Sequence, residues 1–189
     1  MENRSGLSTK KIVLTALMAA LTVAGSALRI TIPVDIAGTT SFHLGNILCA
    51  LSGILLGPWL GGLAAGLGSA LYDMMNPLYI SEAWITFLTK AVYGLMPGLV
   101  IRFGKKQWSY GKVIIAAAAG AVSYAVLYLA KTCFYGGMLL QGLPLEAAVL
   151  TMIPKLPATI FNAVIAILFA PMLAVSIRTA LAKNRLTLD

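Results

Sequence analysis

Three lysines sit where the chain offers them no simple reason to be. Lys90, Lys131 and Lys155 each lie within a long apolar run, and an ammonium in hydrocarbon is costly enough to require a partner or a function. Lys90 follows Glu82 by eight residues and Lys155 follows Glu146 by nine. At the helical rise this puts both roughly 12 Å below the surface that the acids mark. Their neighbours at helical spacing add chemistry. Tyr124, Tyr128, Lys131 and Tyr135 share one face, and Thr151, Lys155, Thr159 and Asn162 share another. Aromatic rings beside a cation and an amide suit a flat polar solute, because rings stack while amide and ammonium fix its orientation. Lys90, Tyr128, Lys131, Lys155 and Asn162 are therefore the candidate solute contacts. The competing readings are snorkelling of the ammonium groups to the interface and structural pairing with Asp73 or Glu82. The tyrosines could also form an interfacial aromatic belt, which suits Tyr79 and Tyr135 better than the deeper Tyr124.

Catalysis has little to work with. Gly66-Leu67-Gly68-Ser69 has the look of a membrane-protease nucleophile region, but the single histidine, His43, precedes it and no second is present to act as base. The glycines there are followed by no Lys-Ser/Thr, so they form no phosphate loop. One histidine and scattered acids give no metal-ligand cluster. No enzyme activity, metal or cofactor is expected. Cys49 and Cys133 lie inside apolar runs and are read as free thiols.

The elements that must position the lysines are membrane helices. Of the 189 residues 59% are hydrophobic and 11% charged, with a mean hydropathy of +0.89; a soluble domain carries about 25% charged residues. Runs of about 20 apolar residues are long enough to cross a bilayer. The pattern predicts an all-α, polytopic bundle of six transmembrane helices in one domain, residues 1–189, with no cleavable signal peptide. The helices are expected over residues 9–30, 43–56, 60–75, 82–103, 112–134 and 145–182. The second and third are short, either two crossings or one re-entrant hairpin. Residues 31–41 and 135–144 are read as loops, and helix 6 as a long helix kinked by Pro154, Pro157 and Pro171.

The net charge of +8 does not indicate nucleic acid. Ten basic residues (in the tails, in the 102–112 loop and at the last helix end) fall on one side of a six-helix arrangement. Asp35, Asp73, Glu82 and Glu146 fall on the other, with Arg29 nearby. The positive-inside rule then places both termini in the cytoplasm of a lipid bilayer. Small residues mark contact surfaces. Gly62, Gly66 and Ala70 suit packing inside the bundle. Ala16, Ala20 and Ala24 could face either the bundle or a partner. A self-contained small-solute transporter or channel is the alternative, which the bare inner half of the helices disfavours.

The runs Ser41-Phe42-His43-Leu44-Gly45-Asn46, Leu55-Leu56-Gly57-Pro58-Trp59-Leu60-Gly61-Gly62 and Gly66-Leu67-Gly68-Ser69-Ala70-Leu71-Tyr72-Asp73 resemble the substrate-binding S components of energy-coupling factor (ECF) transporters. The riboflavin/hydroxymethylpyrimidine-like group is the nearest in appearance. The resemblance implies a high-affinity subunit of a bacterial cell-membrane importer that takes a vitamin-like small molecule from outside. The pocket would lie in the outer parts of helices 4 to 6, gated by the 31–42 loop and the loop after helix 3. It implies docking through Ala16, Ala20 and Ala24 onto a membrane T component that carries two ATPases, and no ATP binding by the chain itself. The N-terminal metal-binding histidine of the nickel and cobalt branch is absent here. Whether the lysines hold an anionic solute, or are neutralised by Asp73 and Glu82 around a neutral heterocycle, the sequence leaves open.

Overall fold

An apolar chain in lipid must satisfy its backbone polar groups internally, and helices do so within each segment. The structure, a computed structural model, describes residues 8–34, 38–103 and 108–184. Within it α1 (Thr9–Ala27), α2 (Gly45–Leu56), α3 (Pro58–Met75), α4 (Ala83–Arg102) and α5 (Tyr110–Ala130) follow one another, and α6 (Leu145–Leu150) and α7 (Leu156–Lys183) complete the bundle. Four helical stretches are long and apolar enough to cross a membrane: Thr9–Ala27, Ile80–Arg102, Tyr110–Leu140 and Leu145–Lys183. The 12 residues of α2 make it short, about 18 Å. The helix between it and α4, α3, has 18 residues. Arg4, Lys105, Lys106, Arg185 and Asp35, which the sequence places in tails and loops, lie outside the described residues.

The break between α2 and α3 is a single residue. Gly57 has φ +81°, a region that side chains disfavour, and Pro58 follows as the first residue of α3, where a missing N–H costs nothing. The turn folds α3 back beside α2, and α3 packs most extensively along α4 and α1. Small residues set these distances. A Cβ on Gly53 would collide with the carbonyl oxygen of Gly94, and one on Gly94 would lie 2.5 Å from the carbonyl oxygen of Gly61. The glycine stripe of α3 is thus spent inside the bundle, as its spacing suggested. By contrast, Ala16, Ala20 and Ala24 are exposed on α1, while Thr15, Met18, Ala19 and Thr22 face inward.

Three expectations need correction. Residues 31–41 are not a plain loop: β1 (Arg29–Val34) and β2 (Gly38–His43) pair antiparallel, with Arg29 opposite His43 and Thr31 opposite Ser41. The β-branched run Ile30-Thr31-Ile32 favours this geometry, and it ends α1 at Ala27 rather than at residue 30. Residues 131–140, expected to leave the helix after 134, continue α5 as a π-helix, Lys131–Leu140. Gly137 lies within it so close to α6 that a Cβ would stand 2.8 Å from that of Ala148. The last helix is interrupted: a 3-10 turn at Ile153–Lys155 separates α6 from α7. Pro154 and Pro157 lack the N–H groups that a continuous helix would use there. Pro171, by contrast, is accommodated inside α7.

The two ends of the bundle differ. The β-hairpin, the 76–82 turn, the π-helix and the α6–α7 break share one end. The other holds the start of α1, the α2–α3 turn, the α4–α5 connection and the end of α7, where Arg178 stacks 4.0 Å over the Trp108 ring.

Candidate functional site

At the hairpin end the helices part around a cavity of about 340 Å³. Lys90 reaches it from α4, Tyr128 from α5, Lys131 from the π-helix, Lys155 from the turn before α7 and Asn162 from α7 itself. All five residues singled out by spacing therefore meet in one space. Each depends on a local feature. The π-helix keeps residues 131 and 132 on the wall after Tyr124 and Tyr128, and wide helical turns of this kind are common at functional sites. The α6–α7 break carries Lys155 to the cavity's edge.

The cations are held in different ways. Lys90 is 4% exposed; its ammonium donates to Oδ1 of Asn46 and lies 3.8 Å from the centre of the Tyr124 ring. A neutral amide and an aromatic face replace the carboxylate that such a buried charge usually has. Lys131 forms an ion pair with Glu82, the structural pairing that competed with a solute role. Lys155 lies 5.8 Å from the Tyr128 ring centre. Among the described residues no carboxylate oxygen lies within 4 Å of Lys90 or Lys155. The rings form a continuous wall: Tyr93 stacks on Tyr124 at 5.1 Å and Tyr124 on Tyr128 at 5.8 Å.

Asn162 lines the cavity and also ties it shut. Its Oδ1 accepts from the backbone N–H of His43 at 3.0 Å, and its Nδ2 donates to the carbonyl of Ser41 at 2.7 Å. The amide thus mimics a strand neighbour and pins β2 to α7. Phe42 packs edge-on against Phe161 at 4.9 Å beside it. A two-stranded hairpin is marginal alone, so these contacts set its position.

Several wall residues were not among the sequence's first candidates. His43, Asn46 and Asp73, none of them named as a solute contact there, all line the cavity. Tyr79, read as part of the aromatic belt, does so too, whereas Tyr135 packs edge-on against Trp84 at 5.7 Å. Arg29 was noted only for its side of the membrane. Its guanidinium lies over the Tyr72 and Tyr79 rings at 4.1 and 5.0 Å and donates to the carbonyl of Ser26. An arginine just past an apolar helix and before a β-branched run was the available signal. His43 is partly exposed, yet its Nδ1 is shut from solvent without a hydrogen-bond partner. Burial, reinforced by the nearby Lys90 and Arg29 charges, holds its imidazole well below the usual range, so it is neutral.

Among the described residues no group of three or more His, Cys, Asp or Glu could hold a metal, and Cys49 and Cys133 are free. The wall offers aromatic faces, ammonium donors, hydroxyls and amides, with Asp73, Glu82 and His43 beside them.

Comparison with known proteins agrees with this picture. Residues 6–179 match the sequence model of the ECF-type riboflavin transporter S component family. An uncharacterised protein in the gap 3′ region of Pyrococcus woesei is 33% identical over 110 residues, 58% of this chain and 69% of that protein. The crystal structure of the S component for biotin from an ECF-type ABC transporter superposes with a TM-score of 0.60. That match covers 92% of this chain and 94% of the other at 16% identity, a likeness of fold.

Proposed function

The chain belongs to the family of ECF-type riboflavin transporter S components, and from that premise we propose how this member works. It is a membrane-embedded substrate-binding component of a transporter, not an enzyme. Its cavity captures a vitamin-like, flat heterocyclic solute. The hairpin end faces the outside of a bacterial cell membrane and both termini face the cytoplasm. The β-hairpin and the 76–82 turn are the gates, and Asn162 is the latch of the first. The solute then passes inward through a membrane T component driven by two ATPases. The exposed α1 face of Ala16, Ala20 and Ala24 is the docking surface, since small residues let a partner helix approach closely.

The observation that carries this reading is the convergence of Lys90, Tyr128, Lys131, Lys155 and Asn162, from separate segments, on one cavity beneath a latched hairpin. The purified chain should bind a ring compound from a vitamin panel without ATP, measured by calorimetry; no binding across the panel would sink the proposal. Lys155→Ala weakens that binding but leaves co-purification with the T component and ATPases intact. Ala20→Trp does the reverse, because Ala20 is exposed and an indole there meets nothing in the isolated chain. Loss of solute binding in isolated Ala20→Trp would show that docking and capture are not separate surfaces.

A further inference from the structure

The protein's 14 basic residues divide unevenly. Ten belong to the tails, the α4–α5 connection and the ends of α1 and α7. The other four, Arg29, Lys90, Lys131 and Lys155, all line the cavity. Among the described residues two carboxylates, Asp73 and Glu82, line it with them, and His43 is neutral. The described wall therefore carries two positive charges in excess. One of the two carboxylates is already engaged, since Glu82 is paired with Lys131.

Charge buried without a counter-ion is unfavourable, and a bound group of opposite sign removes that penalty. The two ammonium groups that have no carboxylate within 4 Å among the described residues flank the tyrosine wall, Lys90 against Tyr124 and Lys155 toward Tyr128. Lys90 already donates to Asn46, which leaves Lys155 as the less committed donor. A ring lying along Tyr124 and Tyr128 would carry an acidic substituent toward Lys155. The cavity's size, at the lower end for ligand sites, suits a one- or two-ring compound with a short acidic arm.

We propose that the solute is an organic anion, a flat ring bearing one carboxylate or phosphate, whose acid group is received by Lys155 at the open end of the tyrosine wall. The proposal rests on the reading of the cavity as a solute site and narrows it to one charge class. Carboxylate and phosphate share the chemistry the wall recognises, so the test separates them.

Two measurements on the full chain in lipid nanodiscs decide it. The first identifies the small molecule extracted from the protein as isolated, by mass spectrometry and by retention on an anion exchanger at pH 7. The second titrates two matched pairs: biotin against biotinamide, and riboflavin 5′-phosphate against riboflavin. The expected result is a retained, acidic compound and, within any pair that binds, an advantage of about 30-fold for the charged member, the worth of one charge-assisted hydrogen bond. Preference within the biotin pair assigns the carboxylate, and within the riboflavin pair the phosphate. In Lys155→Gln the advantage should fall below about fivefold, and Lys155→Arg should restore most of it. A neutral or cationic extracted compound, or equal affinity within a pair that binds, overturns the anion while solute capture stands. An advantage that survives Lys155→Gln overturns the role of Lys155. No extracted compound together with no binding by any of the four removes both the anion and the capture reading beneath it.

Discussion

The two halves of α4 serve opposite ends of the molecule. Toward the hairpin, Lys90 helps to line a cavity, and the helices there are held apart by tyrosines, lysines and polar side chains. One to two turns further on, Gly94 and Gly98 meet the backbones of α2 and α3 so closely that no Cβ would fit at either position. The sequence of one helix thus changes from spacing neighbours to touching them within about 12 Å. Dense packing at one end provides the stability that lets the other remain open and carry poorly compensated charge.

This contrast is broken most directly in the packed half. Gly53→Val places a branched side chain against the Gly94 carbonyl and the Gly98 amide, the latter 3.2 Å from the new Cβ. Backbone cannot move aside as a side-chain tip can. The cost should exceed about 3 kcal/mol, seen as loss of a monodisperse peak and of a cooperative melting transition. Lys90→Met tests the other half. Removing a buried ammonium relieves its desolvation but leaves Asn46 unpaired, so stability should change by no more than about 1 kcal/mol. Solute affinity should fall by about 2 kcal/mol, read by calorimetry. If Lys90→Met destabilised the chain as severely as Gly53→Val, the two halves would not be separable. Asn162→Ala has the smallest effect. It deletes two hydrogen bonds between α7 and β2, about 1–2 kcal/mol of latch. The result should be faster amide exchange at His43 and its hairpin neighbours, with the melting temperature little changed. Unaltered exchange there would show that the Phe42–Phe161 contact alone holds the hairpin.

How much of this could be read from the residues depends on whether the signal was local. Apolar length announced the membrane helices, and helical spacing grouped Tyr124 with Tyr128 and Lys155 with Asn162, because those relations lie within single segments. The role of Asn46 as partner to Lys90 was not visible, since 44 residues separate them. The hairpin was hidden by Pro33 and Gly38, which read as loop punctuation even though the β-branched residues between Arg29 and Phe42 favour strands. The π-helix had no sequence signature at all: Gly136-Gly137 suggested a turn, and only the close approach of α6 shows why the glycines are there. Asp73 and His43 lie near chain breaks and belong to no helical-spacing group, yet chain breaks are where this bundle opens.

The tenuous compensation of Lys155 also bears on the protein's lifetime. A group that is better satisfied when solute is bound ties the folding equilibrium to solute supply, by an amount that grows with the logarithm of free concentration over the dissociation constant. At a hundredfold excess the gain is about 2.7 kcal/mol. The empty chain is correspondingly the form that opens more often and is the more exposed to membrane proteases. Abundance in the cell would then follow the availability of the solute itself, with no separate sensor required.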